Sequence, residues 1–362
     1  MNNNLMIKKG FDAVISLLII AISLALGSLL VLLSNHNPLS SFMSMLIYTW
    51  GSESRVLNTI SASAPLILDS LGLLIAFKSG FWNAGGEGQM LLGGIITVIV
   101  ATTLPTNNSA ILLLAGFASA FLAGGSLAAI SGFLKVKFNA NEIVTTLLLS
   151  EAIAYLVAYL VRVPYKSTSS SYSAVLQSKS IPAAAMFPSI FGLNYSFIVS
   201  VVIALLVYVF FKHTKGGFKL QVLGSNVMAA QSYYGKGYCD KLTLIASFIS
   251  GGLLGAGGMI MVSAFTHVVL AGATGGSYSV GGFTNSYGFV GIAVIYLAQL
   301  NSLLVIPASL FFVTLVLGGV GLEILSNIPS SLALTIAGVV ILLASARLPL
   351  SEKIKRRRKV IV

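Results

Sequence analysis

Residues 71–94, LGLLIAFKSGFWNAGGEGQMLLGG, set Lys78, Trp82, Asn83, Glu87 and Gln89 between two apolar runs long enough to cross a bilayer. An ionisable side chain at membrane depth that does not snorkel to an interface faces a cavity or a protein partner, so Glu87 is a functional-site candidate. Gly80, Gly85, Gly86 and Gly88 fall within nine residues and predict a broken helix whose backbone lines a cavity instead of lipid. The alternative is a short cytoplasmic loop with Lys78 and Glu87 in water.

Outward from that stretch, the 362-residue chain is 56% apolar and only 8% charged, against roughly 25% charged in soluble domains. This composition belongs to a polytopic membrane protein. The net charge of +12 sits in Lys and Arg clusters between apolar runs, a pattern that reports topology and not nucleic-acid binding. A single cysteine, Cys239, excludes an internal disulfide framework, and with no His or acid cluster at ligand spacing no metal site is expected. His36, His213 and His267 are scattered, and no serine–histidine–acid or paired-carboxylate grouping points to a hydrolase, so no catalytic residue is expected.

Apolar runs predict spans near 11–33, 56–77, 84–104, 109–134, 142–162, 195–211, 242–264, 286–300, 304–325 and 331–346. The first is long enough to span and lacks a following small-x-small cleavage site, so it is read as a retained helix. With the N terminus inside, the cytoplasmic segments hold Lys8, Lys9, Lys78, Lys135, Lys137, Lys212, Lys215, Lys219, Lys236, Lys241, Arg347 and the tail from Lys353 to Lys359. The outside keeps Arg55, Arg162, Lys166 and Lys179, as the positive-inside rule requires. The expectation is an all-α integral membrane protein of about ten transmembrane helices with both termini cytoplasmic. A transmembrane domain over 1–346, a cytoplasmic loop at 212–241 within it and a basic tail at 347–362 complete the organisation.

Between the first two spans, Phe42, Met45, Leu46 and Trp50 recur at helical spacing, predicting a short helix on the outer surface or the beginning of the second span. The outer segment 163–194, rich in Ser and holding Pro164, Pro182 and Pro188, reads as irregular. Small residues such as Gly116, Gly124 and Gly125 in span four, and Gly251, Gly252 and Gly255 in span seven, predict close helix packing. Gly80-Phe81-Trp82-Asn83 is echoed by Gly282-Phe283-Thr284-Asn285 ahead of the eighth span. The third and eighth spans would run in opposite directions, which makes the echo an inverted repeat of the kind that places a site at the membrane midplane.

The loop 212–241, KHTKGGFKLQVLGSNVMAAQSYYGKGYCDK, predicts a short helix capped by Ser225 or Asn226, containing Met228, Ala229, Ala230 and Tyr233 and ended by Gly235. Such a helix offers small and aromatic side chains to a soluble partner.

Three stretches then carry a resemblance: GLLIAFKSGFWNAGGEGQMLLGG, KVKFNANEIVTTLLLSEAIAYL at 135–156, and GGFKLQVLGSNVMAAQSYYG. Together they resemble the permease subunits of ABC importers for nucleosides, within the wider group that includes ribose and other simple-sugar permeases. The most specific part is Phe81 to Gln89. The resemblance implies a permease without an ATP site, a separate cytoplasmic ATPase that hydrolyses ATP, a second permease subunit expected to be a different chain, and a lipid-anchored binding protein that delivers the solute. It also implies a coupling element at Gly224, Ser225, Asn226, Met228, Ala229, Ala230, Tyr233 and Gly235, with Met228-Ala229-Ala230 standing where other importers show Glu-Ala-Ala. In agreement, no G-x-x-x-x-G-K-[ST] phosphate loop occurs in the chain, and no cofactor is expected on it.

A nucleoside presents a flat base and a polyol ring, which call for aromatic faces and neutral or acidic acceptors. Phe81, Trp82, Asn83, Glu87 and Gln89 supply these types at the break, and Phe283, Asn285 and Tyr287 at the echo. Asn141 and Glu142 read either as a gate or as a helix cap with a first-turn acid. Asp69 lies within the second span and is expected to pair with a buried donor. The rival reading is an ion-coupled secondary transporter with Glu87 and Asp69 as carriers.

Overall fold

The computed structural model describes residues 21–22, 25–29, 31–33, 35–167, 176–271, 281–326, 328, 335 and 338–339. The helices are α1 Pro38–Trp50, α2 Glu53–Lys78, α3 Gly86–Thr103, α4 Ser109–Phe138, α5 Glu142–Arg162, α6 Tyr195–His213, α7 Lys215–Ser225, α8 Val227–Tyr234, α9 Lys236–Met261, α10 Gly281–Thr284, α11 Tyr287–Leu297 and α12 Val305–Ser326. A π turn, Val262–Thr266, continues α9. Two small antiparallel pairs join β1 Leu176–Gln177 to β4 Leu270–Ala271, and β2 Ser189–Ile190 to β3 Leu193–Asn194.

Among the described residues, seven helices are long and apolar enough to cross a membrane: α2, α3, α4, α5, α6, α9 with its π turn, and α12. The apolar α11 is shorter. The chain is a multi-pass integral membrane protein, as composition required. The expected spans 11–33 and 331–346 lie mostly outside the described residues, and the tail 347–362 wholly so.

Asparagine begins helix after helix. Asn37, Asn108, Asn141, Asn194 and Asn226 each accept a first-turn backbone N–H that would otherwise have no partner. Three boundaries differ from the sequence reading. Gly235, at φ +83°, turns the chain so that its carbonyl accepts the Cys239 N–H, and residues 236–241, expected in the loop, are the first turns of α9. Likewise α4 runs past 134 to Phe138, where Asn139 stops it in the left-handed conformation. The eighth apolar run stops at Leu297, short of 300, and left-handed Gln299 and Leu300 reverse the chain.

Two compact units are present. Within 60–309, α3, α4 and α9 pack backbone to backbone: a Cβ on Gly124 would overlap the Gly251 carbonyl, and one on Gly251 would overlap that of Gly124. The expected small-residue packing of spans four and seven is therefore present, and close backbone approach supplies the dispersion contacts that hold helices together in lipid. α9 is almost wholly enclosed by protein, whereas α5 and α6 leave Leu148, Tyr159 and Leu206 exposed as lipid-facing helices do.

In the other unit, α1 is a helix in its own right, stopped where the Gly51 N–H bonds the Ile47 carbonyl. Its Trp50 indole donates to Thr314 at 3.2 Å, and the Ser326 hydroxyl donates to Ser44 at 3.1 Å. This settles the two readings of 38–51 in favour of a separate helix.

Candidate functional site

The predicted break is present as the short stretch between two membrane-crossing helices, α2 and α3, and not as an interruption within one span. Gly80 turns the chain at φ +77°, residues 81–85 follow irregularly, and helix resumes at Gly86. Phe81 is fully buried. Asn83 and Gln89 exchange reciprocal amide hydrogen bonds of 2.8 and 2.9 Å, and Asn83 also donates to the Ser250 hydroxyl at 3.0 Å. Their polar atoms are spent in tying the break to itself and to α9. Trp82, by contrast, is 46% exposed, its ring tilted against Phe77.

The backbone groups freed by the break are met by α5. Thr146 and Ser150, one turn apart, accept the N–H groups of Ala84 at 3.1 Å and Gly88 at 2.7 Å. A buried N–H in lipid has no water to bond, so these hydroxyls satisfy donors that would otherwise be costly. The glycines follow from the same contact: a Cβ on Gly85 would overlap the Thr146 carbonyl, and one on Gly88 would overlap the Ser150 backbone. Close approach explains them better than cavity lining does.

The echo forms a second break. α10 ends at Thr284, Asn285 and Ser286 adopt positive φ, and α11 begins at Tyr287. The two breaks face each other. The Glu87 carboxylate accepts from the Thr284 hydroxyl through one oxygen and from the Gly288 N–H, at 3.2 Å, through the other. Phe283 and Tyr287 are buried, and Asn285 bonds the Tyr287 side chain. Glu87 thus caps the first turn of α11, where an acceptor with negative charge suits the exposed N–H groups and the helix dipole. Asp69 differs from expectation: it is fully buried, and neither carboxylate oxygen has a hydrogen-bond partner among the described residues.

Within the expected loop 212–241, residues 215–234 fold as α7 and α8, while 212–213 end α6 and 236–241 open α9. Asn226, not Ser225, caps α8 by accepting the Ala229 N–H at 3.0 Å, and Gly235 ends it. Met228 and Tyr233 are each 81% exposed, whereas Ala230 is buried. Gly224 lies on the start of the break, where a Cβ would overlap the Lys78 carbonyl. Beside it, Lys135 donates to the Gly80 carbonyl at 2.9 Å and pairs with Glu142 at 2.6 Å. Asn141 accepts the Ile143 and Val144 N–H groups, which is the cap of the two readings left open.

Sequence reasoning missed Thr146, Ser150, Ser250, Thr284 and Gly288 as parts of this arrangement. Thr146 and Ser150 carried a signal, since two hydroxyls at i and i+4 share one helix face. Ser250 and Gly288 carried none.

The family profile described as "Branched-chain amino acid transport system / permease component" matches residues 55–345. The chain is 30% identical over 349 residues to the glucose ABC transporter permease protein TsgB13 of Haloferax volcanii, covering 93% of this chain and 87% of that one. It is 26% identical over 344 residues to the guanosine ABC transporter permease protein NupP of Bacillus subtilis, covering 94% and 95%. To the nucleoside ABC transporter permease protein NupB of Lactococcus lactis it is 24% identical over 323 residues, covering 87% and 85%. With the match running through both breaks and the α7–α8 pair, this chain belongs to the family of branched-chain amino acid transport system permease components, the permeases of ABC transporters.

Proposed function

We propose that the chain is the transmembrane subunit of an ATP-driven importer of nucleosides, purine nucleosides such as guanosine foremost. The observation that carries this reading is the similarity, along 94% and 87% of the chain, to permeases named for guanosine and for nucleosides. The site is compatible in chemistry. Trp82 offers an aromatic face, Glu87 sits where the starts of α3 and α11 meet, and Asp69 holds two buried acceptor oxygens for sugar hydroxyls once the helices part. In this reading a cytoplasmic ATPase docks on α7–α8, with Met228 and Tyr233 exposed toward it. Closure of the ATPase shifts Gly224, which bears directly on Lys78 and Gly80, and so moves the break that carries Glu87. ATP then biases a two-state equilibrium between outward and inward access. A lipid-anchored binding protein delivers the solute outside, and a second, different permease chain completes the pathway.

A simple-sugar cargo is the second reading, favoured by the 30% identity to a glucose permease. Uptake of labelled guanosine, ribose and glucose, with and without the chain and before and after ATP depletion, separates the two. ATP-dependent guanosine uptake lost with the chain supports the nucleoside reading, and loss of sugar uptake alone moves the cargo. Uptake that survives ATP depletion but fails when ion gradients collapse would replace the importer with a secondary transporter.

A further inference from the structure

Where α2 ends at Lys78 and α6 at Lys212 and His213 lies a cavity of about 320 Å³, beside the start of the first break. Lys78, Tyr208, Phe211, Lys212, Gln221 and Asn301 line it, and no acidic residue does. The Lys78 ammonium sits 4.5 Å over the Phe211 ring, and the Lys212 ammonium bonds the Tyr208 hydroxyl at 2.6 Å. Gln221, whose amide donates to the Phe211 carbonyl at 3.0 Å, fixes one wall. Lys135 pairs with the Glu142 carboxylate, and neither ammonium here has a carboxylate partner among the described residues. Lys78 is half-buried, and a partly desolvated cation without an anion is costly.

The flank of the cavity says where an anion would come from. Along α6, Ile198, Val202, Leu205, Leu206 and Val209 are all exposed and lie on one helical face leading to Lys212. This apolar stripe suits acyl chains, and its end carries the cations. Lysines also mark this end as the cytoplasmic one, where anionic lipids concentrate.

We infer that the cavity holds the phosphate of an anionic phospholipid, with Lys78 and Lys212 on the headgroup and the tails along the Ile198–Val209 face of α6. The site would be an annular lipid site on the permease, independent of which solute it carries.

The full-length chain, purified in detergent, delipidated and returned to phosphatidylglycerol or phosphatidylcholine, is examined by native mass spectrometry. Two lysines near an anionic headgroup predict a preference for phosphatidylglycerol of roughly 30-fold, lost in Lys78→Gln/Lys212→Gln and kept in Lys78→Arg/Lys212→Arg. The arginine pair separates loss of charge from loss of fold, and Lys212→Gln alone, at the exposed position, provides a milder variant that should lose part of the preference. Equal retention of both lipids by the parent chain, or a preference unchanged in the glutamine variants, would overturn the proposal. Millimolar inorganic phosphate added to the phosphatidylglycerol arm tests the other source. Phosphate that binds and displaces the lipid completely would show a free-anion site and refute the lipid assignment, whereas retained lipid supports it.

Discussion

The Gly288 N–H donates to the Glu87 carboxylate, and in return the Glu87 backbone lies so close to Gly288 that no Cβ fits between them. The starts of α3 and α11 therefore meet at one point, where Glu87 caps α11 and Gly86 and Gly288 face each other without room for a Cβ.

Gly288→Val should disrupt that meeting. Overpacking a closed contact costs about 1–3 kcal/mol, and here the neighbour is backbone that cannot rotate away. Membrane insertion should be normal, with a lowered melting temperature in detergent and transport reduced by at least roughly tenfold. An unchanged melting curve would mean that the two breaks do not meet as described.

Glu87→Gln keeps one acceptor oxygen, for the Gly288 N–H, and can donate its amide to the Thr284 hydroxyl, whereas Glu87→Ala removes both hydrogen bonds. Hydrogen bonds to a charged group are worth about 1.5–3 kcal/mol each, so the alanine variant should be clearly less stable than the glutamine variant. Uptake should follow the same order. A glutamine variant as inactive as the alanine one would instead mark Glu87 as a proton or ion carrier.

Ser150→Ala leaves the Gly88 N–H without its acceptor in a setting that water does not reach. An orphaned buried donor costs about 1–3 kcal/mol, and Thr146→Val should cost a similar amount through Ala84. Ser150→Thr and Thr146→Ser retain the hydroxyl and should lie nearer the parent protein. Thermal melts of the four variants test this ranking.

Gly224→Val would drive a side chain into the Lys78 carbonyl. Expression and insertion should match the parent, while ATP-dependent uptake falls, because the α7 end no longer seats on the break. Replacing 224–235 by a flexible linker should abolish uptake altogether. Normal uptake in either variant would remove α7–α8 from the coupling role.

Much of this molecule was legible as one-dimensional pattern. Spans two to seven and nine appeared as apolar runs, because hydropathy over about 20 residues is a local property. The α8 cap at Ser225 or Asn226 and the stop at Gly235 were read from residue types whose preference acts within one turn, and the structure takes Asn226. The start of α9 was not, since Lys236–Lys241 is polar enough to pass for loop, and only the turn at Gly235 makes it helix.

The sequence by itself determined a helical membrane protein with a break at Gly80–Gly85 and an echo of it near Phe283, because glycine clusters and apolar periodicity act locally. Only the tertiary structure decided what those features are for. Glu87 finds Thr284 and Gly288 across 197 and 201 residues, and Asn83 finds Ser250 across 167. No local preference encodes such distances. They arise because lipid offers no hydrogen bonds, so the helices at each break must satisfy their freed backbone and buried polar groups from whichever helices pack against them.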